Sequence, residues 1–500
     1  MFVRLVLAFS LLMQGCATVQ YREPKVVHAD DGAVVLRVLP NMLSASQYFK
    51  NWQDITVERL SATPGETGPR YAVRPTMEGT SRSAIYAGAL PPGEYRIVQF
   101  SAQSCGMMCV TSSVELGSDF SIFEIRSRTL TDLGVIVQTS SPSSDRRVLM
   151  AHDSVQDPLQ TREIVETYLP DLKSMLAAPP LSWKAESVIK RMPAMFNYGK
   201  QVSFGFASPQ ETGNGSFIYG SANGMLYDWT PGRRAAGHDV GLRSSIEATL
   251  VASNGDWIAG GELSLLQQSS DRGQSWHSIR GNLPLGVVVS VKQWKNMILA
   301  TVLRGNKIDV HRAELGSTQW QAVASYQMDV SRFWDVQGVR PQSYLIDDTL
   351  ITTVPGRKVA VLDLARGTSQ LNALPGGIQM FSVSGDRVLR CRCIAGIAVN
   401  SYESGDMGKT WRPSASSRFM MMPAFRDTKH GVAFKGAFTG SGKMAYTEDG
   451  GATWIESVDA PDSFGDLFYS KDGKAAYGAS AYGAFWMSED DGRTWRALRK

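Results

Sequence analysis

Of 500 residues, only six are histidine and five are cysteine. The histidines are scattered, with no His/Asp cluster at the spacing that metal ligation needs, so neither a metal nor any other cofactor is expected. No G-x-S-x-G elbow is present to support a Ser–His nucleophile. Lys and Arg number 51 against 47 Asp and Glu, a formal charge of +4 spread along the chain without a basic run. A nucleic-acid partner wants a clustered basic face and is not expected. Beyond the first few residues, no apolar stretch is long enough to span a bilayer. Charged residues at 20%, hydrophobic residues at 43% and 47 glycines describe a turn-rich globular β protein, and the length suits two or three domains.

One octapeptide occurs four times: residues 269–276 (Ser-Ser-Asp-Arg-Gly-Gln-Ser-Trp), 404–411, 447–454 and 488–495. The shared pattern is S/T-x-D-x-G-x-S/T-W, with Asp271, Gly273 and Trp276 in the first copy. The later copies place Asp406, Gly408 and Trp411, then Asp449, Gly451 and Trp454, then Asp490, Gly492 and Trp495. Each type suits a tight hairpin. The carboxylate accepts turn N–H groups, the glycine supplies a positive φ, the late Ser or Thr bonds back, and the Trp buries its ring. The aspartates at 406, 449 and 490 follow one another at about 40 residues, the length of a four-stranded propeller blade.

Degenerate copies lie at 224–229, at 311–316 with Trp320, and at 359–364 with Gly367 and Thr368. Short apolar runs precede the copies, at 217–220, 257–260, 297–300, 349–352, 388–389, 431–434 and 474–478. The expectation is an all-β chain ending in a seven-bladed β-propeller over 190–500, or six blades if the first unit is only a closing strand.

The octapeptide resembles the Asp-box of BNR repeats, and the regular phrase of apolar run and box is similar to YCF48-like and Vps10-like propellers. The resemblance covers roughly 190–500 and implies a rigid, non-catalytic binding face for protein or peptide. Sialidases also carry Asp-boxes, so a lipid-anchored glycoside hydrolase using the central pocket is the alternative. A sialidase resemblance needs an arginine triad, an acid/base Asp and a Tyr–Glu pair. Only Arg191-Met192-Pro193 echoes the first of these, and it reads more simply as the lead into the propeller. Box aspartates on different blades would not converge as a hydrolytic carboxylate pair. No catalytic residue is assigned.

The N-terminus has a short basic start and an apolar core, then Gln14-Gly15-Cys16. This reads as a signal over 1–15, and its end resembles a bacterial lipobox with Cys16 as the lipidated residue and 16–24 as a tether. The departures are Met13 and Gln14. An ordinary signal cleaved nearby is the alternative. Ala17, in place of an Asp, implies the outer membrane, facing the periplasm.

Residues 25–140 alternate as a β-sandwich, with strands at 33–39, 95–100 and 135–137. The phrase Leu90-Pro91-Pro92-Gly93-Glu94-Tyr95 is similar to transthyretin-like or carboxypeptidase-regulatory sandwiches. Residues 141–189 form a linker with an amphipathic helix over 159–177, kinked or broken at Pro170. In an oxidising envelope Cys105 and Cys109 most simply pair locally; free thiols or a thiolate–thioether copper site are the alternatives. Cys391 and Cys393 share one face of a strand, where a bridge would be strained but allowed, and bridging between domains stays open. The whole reads as an envelope lipoprotein, held to the membrane by its lipid, that binds or scaffolds another envelope protein or a cell-wall glycan.

Overall fold

The computed structural model describes residues 19–26, 28–40, 52–63, 65–76, 79, 83–105, 109–116, 122–140, 148–153, 158–184, 209–213, 215–221, 224–230, 233, 235–329, 340–384, 387–395, 398–414, 420–435, 442–459, 464–470, 472–480 and 485–499. Cys16 and residues 190–202 lie outside them. The chain divides into two compact units, Met1–Val202 and Ser203–Lys500.

The first unit is one curled sheet. Its strands are β1 (Gln20–Arg22), β2 (Gly32–Pro40), β3 (Asp54–Arg59), β4 (Arg70–Thr76), β5 (Ala84–Leu90), β6 (Gly93–Cys105), β7 (Cys109–Glu115), β8 (Ile122–Ile125), β9 (Leu130–Ser140) and β10 (Val148–Asp153). The path runs β10-β9-β2-β5-β4-β3-β6-β7. The curl turns on β4, whose residues 70–73 pair with β3 and whose residues 74–76 pair with β5. One strand therefore serves both layers of the expected sandwich. Val34, Leu36, Ile55, Tyr86, Tyr95, Phe100 and Phe123 fill the core between them. Strand β2 is buried along residues 33–39, on both faces. One face looks into this core, and the other meets the helical segment.

That segment is the expected amphipathic helix in two pieces, α1 (Pro158–Tyr168) and a 3₁₀ helix (Pro170–Ala177). The break falls at Pro170, because proline has no N–H to continue the ladder. Val165, Leu169, Leu172 and Met175 are buried. Thr161 Oγ1 donates to Asp132 of β9, and Trp183 Nε1 donates to Leu133 O at 2.9 Å. The segment expected as a connector is thus built onto the first unit's sheet.

The second unit is a propeller of seven four-stranded antiparallel sheets. Blades 1 to 7 span 210–239, 246–278, 287–327, 343–373, 377–413, 420–459 and 464–499. The first unit of the repeat is a full blade, so the six-bladed alternative is set aside. Every apolar run noted in the sequence meets the second strand of its blade, and the octapeptides join third strand to fourth. First strands contact the strands of neighbouring blades and line the centre, which puts the octapeptide turns toward the rim.

Apolar clusters mortar the joints. Ile218 and Leu226 meet Ile246 and Trp257 between blades 1 and 2, and Leu299 and Val310 meet Leu350 and Leu362 between blades 3 and 4. Among the described residues blades 7 and 1 share no strand, and side chains close the ring between them. Phe217, fully buried, lies 4.7 Å from Tyr477 and 5.4 Å from Phe485 between ring centroids, and Trp229 lies 4.6 Å from Phe485.

Candidate functional site

The four octapeptide turns repeat one hydrogen-bond pattern. The leading hydroxyl (Ser269, Ser404, Thr447, Ser488) donates to the Asp carboxylate at 2.7–2.8 Å. It also accepts the glycine N–H at 2.7–2.8 Å. The Asp then accepts the N–H of the residue four on, at 2.8–2.9 Å. Its second oxygen accepts that residue's hydroxyl at 2.5–2.6 Å. Gly273, Gly408, Gly451 and Gly492 have φ between 81° and 94°, and the residue before each is also positive, as at Arg272 (58°) and Met407 (60°).

Each Asp is thereby committed to its own turn. Hydrogen bonds, first from the Ser or Thr hydroxyl, hold Asp271, Asp406 and Asp449 down at about 2. Asp490 is lowered too: burial pushes it up, and the Thr494 and Ser488 bonds outweigh that. These folded values lie below the ordinary 3.8, so the turns' contribution is complete above 3.8 and is lost as pH falls through about 2. The propeller's melting temperature is therefore expected to drop steeply between these values, and Asp406→Asn is expected to flatten the drop. Calorimetry across that range checks it; an unchanged pH profile in Asp406→Asn would refute the assignment.

The turns also serve the joints. Met407 O accepts from Asn372 Nδ2 of blade 4 at 3.0 Å, and Gly273 O lies 3.1 Å from His238 Nδ1 of blade 1. A Cβ on Gly408 would stand 2.9 Å from Val359, and one on Gly492 would stand 2.6 Å from Val432. The turns of blades 2, 5 and 7 thus dock on the preceding blade, whereas Gly450 and Gly451 meet Thr428 and Phe425 of their own blade 6. The Trp rings are half-buried, less than their expected role as buried anchors, and cover the edges of these joints. The leading hydroxyl, at most 2% exposed, is the hub that sequence reading left without a job. Its invariance as Ser or Thr across the four copies was the available signal.

The joint between blades 5 and 6 is built differently. Blade 6 offers Ala433 and Ala445 where other blades present large aliphatics. Blade 5 offers Arg390 and Arg392, because Cys391 and Cys393 turn to the blade 4 side and join that cluster. The two cysteines are bonded to each other, with Cα atoms 5.6 Å apart. The Arg390 guanidinium lies 3.9 Å from the Phe425 ring centroid and donates to Thr428 O of blade 6 at 3.3 Å. Burial pushes the Arg392 pKa down. In the first unit, Cys105 and Cys109 are register partners across the β6–β7 hairpin, and their side chains lie outside the described residues.

A cavity of about 670 Å³ runs from the first strands at the ring centre outward between blades 5 and 6. Its wall includes Arg340, Arg390, Arg392, Phe425, Trp454 and Tyr469, with Glu211 the one carboxylate among its described lining residues. Two buried donors on this wall, Trp454 Nε1 and Tyr469 Oη, have no hydrogen-bond partner among the described residues. Burial pushes the Tyr469 hydroxyl well above its ordinary range, keeping it a donor. Of these residues only Trp454 was singled out from sequence, and there as a turn residue. Among the described residues no group of His, Cys, Asp and Glu is placed to hold a metal ion, and no helix is long and apolar enough to cross a membrane.

No protein-family model matches the sequence, and no curated protein does. Among solved structures, the chain is similar to the computationally designed Ika8 protein at 16% identity, covering 59% of this chain and 87% of that one, with a TM-score of 0.42. It is similar to YCF48 bound to a D1 peptide at 15% identity, covering 55% and 92%, with a TM-score of 0.44. It is similar to BamB from Moraxella catarrhalis at 14% identity, covering 56% and 79%, with a TM-score of 0.37.

Proposed function

We propose that this chain is a bacterial envelope lipoprotein of the Asp-box type, anchored by lipid on Cys16 at the periplasmic side of the outer membrane. Its propeller binds an extended segment of another envelope protein without catalysis. One observation carries the reading: the cavity bordered by blades 5 and 6, with two buried donors that have no partner among the described residues. A buried polar group left unmatched costs about 1–3 kcal/mol, and a ligand acceptor would recover that. Arg390 and Arg392, beside an Arg340 already paired with Glu247, favour a segment bearing carboxylates or backbone carbonyls. A cell-wall glycan is the second reading, favoured by the aromatic faces of Phe425 and Trp454, on which sugar rings stack. The hydrolase reading asks for two carboxyl groups flanking the bond, and the described wall supplies Glu211 alone.

In-cell crosslinking and affinity capture of the tagged chain, with Cys16→Ser as the mislocalised control, tests this reading. One stoichiometric envelope protein, lost in the control, is the expected result. Recovery of glycan fragments without protein would move the reading to the glycan. Unchanged recovery in Cys16→Ser would remove the anchor from it.

A further inference from the structure

The outer strands of the seven blades are not alike. Those of blades 2 and 5 are two residues long, His277–Ser278 and Arg412–Pro413. Those of blades 1, 6 and 7 carry charge, as Asp239, Glu456 and Asp459, and Arg496 and Arg499. Blade 3 has an uncharged outer strand, Gln321–Gln327, but a register shift at Val310/His311 breaks its ladder. Short length, charge and bulges are the devices that keep sheet edges from pairing. Blade 4 has none of them. Its outer strand, Thr368–Ala373, pairs without a break along all six residues with Lys358–Asp363 and bears no charged side chain.

The register says which backbone groups this edge offers. Leu374 N donates to Arg357 O at 2.8 Å, and antiparallel ladders bond at every second residue. Thr368, Gln370 and Asn372 therefore bond inward. Ser369, Leu371 and Ala373 turn their N–H and C=O groups outward. Leu371 stands at the centre of that row and is 45% exposed, one of four large apolar side chains so exposed among the described residues.

We infer that this edge pairs with the same edge of a second copy of the chain, across a two-fold axis through Leu371. The row is its own complement. Outward groups must meet outward groups, so Leu371 faces Leu371 of the second copy and Ser369 faces Ala373. The pair exchanges backbone hydrogen bonds at each of these positions. Two-fold pairing brings a strand against itself, so a charged edge would meet its own sign near the axis; this one has no charge to repel. The two exposed leucines cover each other. A single strand pair is a small interface, suited to association among copies held at one surface.

The full chain is tested by cysteine pairing and by sedimentation. Under mild copper–phenanthroline oxidation, Leu371→Cys is expected to form homodimer at least about tenfold more than Gln370→Cys, whose opposite residue is Asn372, with the wild-type chain as background. In sedimentation, wild type is expected to associate with rising concentration. Leu371→Pro is expected to weaken that association about tenfold or more at an unchanged melting temperature, since it removes only an outward N–H. Leu371→Lys gives the same result by charge, and Ile455→Lys, at the other exposed propeller apolar residue, has no effect. A chain that stays monomeric at every concentration, equal crosslinking at 370 and 371, or undiminished association in Leu371→Lys would overturn the inference. None of these readouts involves the cleft or its partner.

Discussion

Phe217→Ala is expected to destabilise the propeller by about 3–5 kcal/mol, the range for truncating a fully buried aromatic. For a unit of this size that is a fall in melting temperature of roughly 10 °C. The position matters more than the area. Six joints of the ring connect blades that follow one another along the chain. The seventh connects blade 1 to blade 7, from opposite ends of the unit, and side chains carry it. Phe217 sits between Trp229 of its own blade and Phe468, Tyr477 and Phe485 of the last. Removing it leaves a cavity at the one joint the chain does not tether. Amide exchange is therefore expected to rise in strands 217–220 and 476–480 well before the middle blades. Uniform loss of protection across all seven blades would show that this joint has no special weakness. Ile308→Val, a one-methylene change between blades 3 and 4, serves as the comparison, at about 0.5–1.5 kcal/mol.

The repeat was readable because the octapeptide turn is a local object. Its Asp, Gly and hydroxyl partners lie within seven residues, so the hydrogen bonds that require them leave a mark in sequence. Blades 1, 3 and 4 turn without it, and their apolar runs and the degenerate copies at 224–229, 311–316 and 359–364, which fall in or at the end of their third strands, betray them. In the first unit, β2 hid the two-layer pattern because it is buried on both faces, and no alternation survives in Ala33–Leu39. The cleft was not readable. Ala433 and Ala445 are ordinary strand residues, and the phrase Cys391-Arg392-Cys393 draws attention only to its sulfurs. Packing decides that meaning, and the partners are 40 or more residues apart.

Arg392 offers the direct test of the cleft. The bonded pair Cys391–Cys393 anchors its strand against blade 4, so the pleat delivers Arg392 toward blade 6. Burial disfavours its charge, and an anionic group on the bound segment would offset that cost in the complex while leaving it in the free protein. Arg392→Met keeps the stem and removes the charge. For the partner recovered by capture, affinity is expected to fall about 30-fold or more, the loss at a buried interface arginine. The melting temperature of Arg392→Met, measured beside the affinity, tells a lost contact from a lost fold. Arg392→Lys should recover part of the affinity and not all of it, because an ammonium lacks the planar fork. Cys391→Ala with Cys393→Ala frees the strand without touching the charge, so a smaller loss is expected. Titration calorimetry with the purified partner separates the cases. Should Arg392→Met bind as wild type does, the joint between blades 5 and 6 is not where the partner sits.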